Sequence, residues 1–205
     1  METSVIISLV ALFVSCLTAW LTWFHRGTIK MTQPTTVFFG PDDKGQSKVF
    51  LRTLLYSTAR RGQLVENLSV KLTRDGQTQA FNVWVYGETK EMARGSGLFV
   101  GYEGVTANHH FLLPMSGGDY QFKAGAFALE VYAKLVNVKG LKRLTRLDLT
   151  VGEGEELVLL DGQGGLFFDW DPDKQSYHHS LDNRFVGNKL EKALGLRKWG
   201  DGPEA

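Results

Sequence analysis

Cysteine occurs once in the chain, at position 16, inside an apolar run. Everything after that run therefore has no disulfide, no zinc–thiolate centre and no thiol nucleophile. Proline is scarce (5 of 205 residues), which leaves no proline-rich linker. Neither sign of charge dominates. The 23 Lys+Arg against 22 Asp+Glu give a formal net charge of +1, so no nucleic-acid partner is expected from the total. No Walker A sequence, HExxH or nucleophile elbow is present. The glycine-rich stretch Gly95-Ser96-Gly97-Leu98-Phe99-Val100-Gly101 runs on as Tyr102-Glu103-Gly104-Val105, which does not open a helix as a dinucleotide fingerprint must. No catalytic signature follows from these residues, and the expectation is a non-enzyme without a cofactor.

What the chain does have is an uncharged run over residues 5–24, VIISLVALFVSCLTAWLTWF, with only Ser8, Ser15, Thr18 and Thr22 polar. At about 1.5 Å per residue such a helix reaches ~30 Å, the thickness of a bilayer core. A cleaved signal peptide wants a basic start and small residues at its end. Here Met1-Glu2-Thr3-Ser4 carries no Lys or Arg, and Trp20, Trp23 and Phe24 stand where small residues belong. Phe13-Val14-Ser15-Cys16 loosely resembles a lipobox, but the apolar run continues past Cys16. The expectation is one uncleaved transmembrane helix over 5–24. Its membrane-contacting residues are Val5, Leu9, Leu12, Cys16, Trp20, Trp23 and Phe24, its partner is the lipid bilayer, and it follows a short tail over 1–4. Arg26 and Lys30 follow the helix and no cation precedes it, so the positive-inside rule places the C-terminal part in the cytoplasm. Residues 25–34 read as a juxtamembrane linker.

Beyond residue 34 the apolar period is two. Leu68-Ser69-Val70-Lys71-Leu72-Thr73, residues 127–134 (FALEVYAK) and Leu147-Asp148-Leu149-Thr150-Val151 alternate as half-buried strands do. Residues 49–56 (VFLRTLLY) and 81–86 (FNVWVY) read as more central strands. Asp75-Gly76 supplies the positive φ of a tight hairpin, and Asn137-Val138-Lys139-Gly140 reads as a second hairpin loop. Eight or nine strands over 35–152 without an intervening amphipathic helix point to an all-β domain, an antiparallel two-sheet sandwich. Residues 153–205 are then a C-terminal extension.

Residues 119–133, DYQFKAGAFALEVYA, carry a turn glycine, an aromatic and alternating aliphatics. This stretch, continued through Val151, resembles the penultimate strands of immunoglobulin-like and fibronectin type III-like domains. The resemblance implies an immunoglobulin-like sandwich. It departs at Phe127, where many such domains carry a corner tyrosine, and the core disulfide of antibody domains is excluded.

Asp169, Asp171, His178 and His109 are the metal-ligand candidates. The alternating acids at 169, 171 and 173 fit neither register of a calcium loop and read as a solvated turn after Leu166-Phe167-Phe168. Of His109 and His110, adjacent in a strand, only one can face a shared site. Arg60-Arg61 reads as surface charge with lipid head groups as the alternative. Residues 184–199 (RFVGNKLEKALGLRKW) read as a short basic amphipathic helix, with Arg184, Lys189, Lys192, Arg197, Lys198 and Trp199 as lipid contacts. The functional expectation is a membrane-anchored binding or scaffolding module with a protein partner at the membrane. Two alternatives are a metal-dependent or hydrolytic enzyme on the Asp/His group, and lipid-surface binding through the basic tail.

Overall fold

The N-terminal run folds as α1 (Glu2–Ala19) and ends in a π-helical turn, Trp20–Phe24, in a computed structural model that describes residues 2–24, 27–42, 44–87, 93–95, 97–114, 120–136, 138–160 and 164–182. No residue of α1 is buried by the protein. The helix is long and apolar enough to cross a membrane or to act as a signal sequence. Its four hydroxyls are satisfied within it. Ser8, Ser15, Thr18 and Thr22 each donate to the carbonyl four residues back, at 2.7–2.9 Å. Such back-bonding leaves no orphan hydroxyl to be desolvated in hydrocarbon.

The rest of the described chain is mostly antiparallel β-structure in two sheets. Across the larger sheet the order is β13 (Ser176–Asp182), β12 (Gly165–Asp171), β2 (Thr36–Pro41), β3 (Ser47–Ser57), β9 (Val105–Leu112), β6 (Val83–Tyr86) and β7 (Ala93–Arg94). A short β1 (Ile29–Met31) pairs with the end of β3. The smaller sheet runs β11 (Leu141–Val151), β10 (Gly125–Leu135), β4 (Gln63–Arg74) and β5 (Gln77–Phe81), with β8 (Leu98–Val100) on β4. One further helix, α2 (Glu153–Leu160), follows β11.

Alternation decides which residues enter the core. On β10, Phe127, Leu129, Val131, Ala133 and Leu135 are buried, and on β11 Leu147, Leu149 and Val151. On β4 the phase changes: Val65 faces in, then Leu68, Val70 and Leu72. Pairing with β10 jumps from Lys134↔Asn67 to Leu135↔Val65, so Glu66 is the extra residue of a bulge that lets both runs point inward. The predicted hairpins form. Asp75 (φ 49°) and Gly76 (φ 77°) turn β4 into β5, and β10 pairs antiparallel with β11, the next strand in the chain.

The structure corrects the strand division in three places. Residues 81–86 are not one strand: Phe81 ends β5 in the smaller sheet and Val83 begins β6 in the larger one. The break at Asn82 lets both Phe81 and Trp84 enter the shared core from opposite sheets. Within 35–152 the described residues form ten strands, not eight or nine, because β7 and β8 are fragments of two and three residues. The sandwich also reaches past both expected boundaries. Ile29–Met31, expected as linker, is β1, and residues 165–182, expected as extension, are the hairpin β12–β13, whose Leu166 and Phe168 are core residues. Without that hairpin β2 would lose its neighbour on one side.

Candidate binding cleft at the open edge of the sandwich

The metal-ligand candidates do not converge. His109 lies on β9, three strands from β12, roughly 14 Å at ~4.8 Å per strand. It is wholly buried between Trp84 and Phe111, whereas Asp169 is exposed and accepts a hydrogen bond from Thr36 Oγ1 at 2.9 Å. Asp171 and His178 do meet, Oδ2 to Nε2 at 2.8 Å. Asp171 also receives the backbone N–H groups of Asp173 and Lys174 on Oδ1. The His178 hydrogen bond, then the Lys174 amide, hold its carboxyl below the usual range. Asp171 thus organises the Pro172–Gln175 turn of the β12–β13 hairpin. Among the described residues no group of three His, Cys, Asp or Glu side chains is placed to hold a metal ion.

His109 has a structural role with a measurable signature. The Trp84 indole N–H donates to its Nδ1 at 3.1 Å, so the ring proton sits on Nε2, which has no hydrogen-bond partner among the described residues. Burial, and secondarily His110, lower its pKa from 6.5 to about 4. Above pH 6.5 the folded and unfolded chains both hold the ring neutral. Between 6.5 and 4 the unfolded chain takes up the proton first, so stability falls as pH falls, by about 3 kcal/mol in all. His109→Gln, which keeps an acceptor for Trp84, is expected to remove this component. Urea midpoints at pH 7 and pH 4.5 measure it, and an equal pH response in both proteins would contradict the assignment.

The anchor residues Val5, Leu9, Leu12, Cys16 and Trp20 are exposed on the N-terminal helix. Trp23 and Phe24 lie in its last turn. Lys30 is exposed on β1; Arg26 lies outside the described residues. Arg184, Lys189, Lys192, Arg197, Lys198 and Trp199, with the helix expected over 184–199, also lie outside them.

A site that the sequence reading missed lies where the two sheets part. β11 is the last strand of the smaller sheet and β13 of the larger, and among the described residues neither carries a strand on its outer edge. Between them is a cleft of about 370 Å³. Arg146, Asp148 and Thr150 of β11 form one side and Trp170, Tyr177 and His179 of the hairpin the other, with Phe168 beneath. Trp170 and Tyr177 pack at 5.1 Å. The Tyr177 hydroxyl donates to Pro34 O at 2.8 Å and accepts from Gln33 Nε2 at 3.1 Å, which fastens the hairpin to the segment between β1 and β2. Burial pushes the Tyr177 phenol well above its ordinary pKa, so it stays a donor. His179 Nε2 meets Glu155 Oε1 at 2.7 Å. Glu155 also accepts from Gly152 N through Oε2, the N3-to-N-cap half of a capping box, so the start of α2 positions His179. The available signal was the alternation Phe168, Trp170 and Tyr177, His179 about a Pro-containing turn, which is a hairpin pattern.

Alternate residues of an edge strand turn N–H and C=O outward. A cleft with one polar and one aromatic wall beside such an edge can take an extended peptide backbone, which adds as a strand, and one or two of its side chains.

The sequence matches no protein-family model and no curated protein. Solved structures similar in shape include a family 123 glycoside hydrolase from Clostridium perfringens, at 6% identity and TM-score 0.32. The alignment covers 60% of this chain and 27% of that one, so this chain spans well under two thirds of the hydrolase's length. Another is Spo0M, a sporulation control protein from Bacillus subtilis, at 11% identity and TM-score 0.33, covering 87% of this chain and 88% of that one. At these TM-scores neither likeness carries an argument about this chain.

Proposed function

We propose that this protein is a single-pass membrane-anchored binding module, its sandwich on the cytoplasmic side, and that the β11–β13 cleft holds an extended segment of a protein partner. The observation that carries the reading is the pair of sheet edges facing one cleft whose hairpin side is aromatic. The apolar N-terminal helix and its internally satisfied hydroxyls support the anchor, and Lys30 supports the orientation. The likeness of residues 119–151 to immunoglobulin-like domains agrees with a sandwich used as a binding platform.

A photo-crosslinking residue at Asp148, in intact membranes, is expected to capture a discrete partner. The same residue at Arg94, exposed on β7 at the opposite edge of the larger sheet, is expected to capture none. Ser176→Arg, which fills the cleft, should reduce capture roughly tenfold, equivalent to ~1.4 kcal/mol of binding. Equal capture at Arg94, or capture indifferent to Ser176→Arg, would contradict the cleft as the binding site.

A further inference from the structure

The end of the sandwich nearest α1 carries an exposed apolar groove of about 630 Å³. Leu64, Phe99, Val136 and Val138 line it, and Leu141 lies exposed just before its lining residue Lys142. Phe99 is 58% exposed although it is a large aromatic on a strand. It is held in that position: its ring lies across Gly62, where a Cβ would come within 2.5 Å of Cζ and where φ is +64°. A side chain at position 62 would therefore collide with the ring and strain the backbone.

The same groove includes Gly27 and Thr28, the first described residues after the π-helical turn that ends at Phe24. They are pinned to the sandwich. Thr28 N donates to Thr58 Oγ1, Thr58 N donates to Thr28 O, Gln63 Nε2 donates to Gly27 O and Lys142 Nζ donates to Ile29 O, all at 2.8–2.9 Å. Three residue steps separate Phe24 from Gly27, so the groove edge lies no more than ~11 Å from the helix end. The polar zone of one leaflet is about 5–8 Å deep. A helix whose end sits at the membrane interface thus brings this groove to the head groups.

The charge around it has one dominant sign. Arg61 and Lys142 line the groove, Arg60 and Lys139 are exposed beside lining residues, and Lys30 is close enough to Lys142 to act on its charge. Among the described residues no Asp or Glu lines it; Glu103 stands nearby, beyond Gly101. Apolar side chains ringed by cations suit an interface of acyl chains below and anionic head groups above.

We infer that this groove is a second membrane contact, an interfacial docking face that seats the sandwich on an anionic lipid surface beside its own helix. The inference rests on the anchored reading. It also gives Arg60 and Arg61 the head-group role rather than that of plain surface charge.

The test uses the full chain with Cys16→Ser, so that one introduced cysteine carries an environment-sensitive fluorophore. Phe99→Cys and Val138→Cys probe the groove, and Asp75→Cys reports from the other end of β4, about 35 Å away. The chain is reconstituted in phosphatidylcholine vesicles with or without phosphatidylglycerol and with lipid-borne quenchers. Labels at 99 and 138 should shift to the blue and be quenched roughly twofold or more over the label at 75, as for groups ~5–10 Å into the interface. Arg60→Glu with Lys139→Glu should weaken that quenching in the anionic vesicles. If the chain resists carbonate extraction while labels at 99 and 138 stay as water-exposed as the one at 75, the docking face is overturned and the anchor stands. Shielding by a co-purified protein without lipid quenching also overturns it. Release of the chain by carbonate overturns the anchored reading and this inference with it.

Discussion

Arginine at both Leu9 and Leu12 is expected to abolish membrane insertion. Both positions lie near the middle of the Glu2–Thr22 apolar segment and are exposed on its surface. An arginine at the centre of a spanning helix costs about 2.5–3.5 kcal/mol on insertion scales, and each leucine lost gives up a few tenths more. Two such changes come to about 6 kcal/mol, enough to take insertion from near completion to a minor fraction. The helix has no protein interior in which to hide the charges, because no residue of α1 is buried. Carbonate extraction of membranes measures the outcome: the wild-type chain stays in the pellet and the double variant moves to the supernatant. Intact mass of the membrane-bound chain is the companion measurement. A mature N-terminus beyond Phe24 would mean that the segment is a cleaved signal sequence, and the anchor reading would fail.

Phe39→Ala is expected to destabilise the sandwich by about 3–5 kcal/mol, the range for a large aromatic removed from a packed core. Phe39 is fully buried on β2, between β12 and β3. Its ring stacks on Phe122 at 4.8 Å and meets Phe168 at 5.1 Å and Phe127 at 5.7 Å edge-on. These three rings come from three different parts of the chain, two of them from β12 and β10 in opposite sheets. Collapse around the vacated volume would have to shift both sheets, so the cavity stays largely open and the cost sits toward the upper part of the range. Urea unfolding followed by tryptophan fluorescence would show a lower midpoint with the slope little changed. A loss below 1 kcal/mol would mean that the ring is not shared between the sheets as described. The contrasting site is Phe99, whose exposed ring contributes little to the core; Phe99→Ala is expected to leave the midpoint nearly unmoved while removing the groove's largest apolar group.

These two positions show how unevenly the structure was legible. The strands of the β10–β11 hairpin could be read directly, because each buries one face and shows the other to water, and period-two alternation records that asymmetry. The Asp75-Gly76 turn could be read because two consecutive positive φ values need those residue types. The split at Asn82 could not. Phe81 and Trp84 are both apolar and both buried, and composition does not say that they enter the core from different sheets. Nor could the place of residues 165–182. Alternating carboxylates on the outer face of β12 look like ligand spacing, while the inward Leu166 and Phe168 that tie the hairpin to β2 are only two side chains. His109 drew attention as a ligand because histidine titrates and binds metal. Its burial against Trp84 is a tertiary fact, and burial removed it from any shared site with Asp169.

By itself the sequence determined the features that local pattern encodes: an apolar helix long enough for a bilayer, an antiparallel β-rich remainder, its tight turns, and the lack of thiol chemistry after Cys16. These depend on periodicity, length and residue type over short windows, where side-chain direction repeats with the backbone. Only the tertiary structure decided which strands sit at the edges, that β11 and β13 face one cleft, and that Phe99, Val138 and Lys142 gather beside the helix exit. Those residues lie far apart along the chain, and their meeting is set by how two twisted sheets pack over one core, which no short window of sequence records.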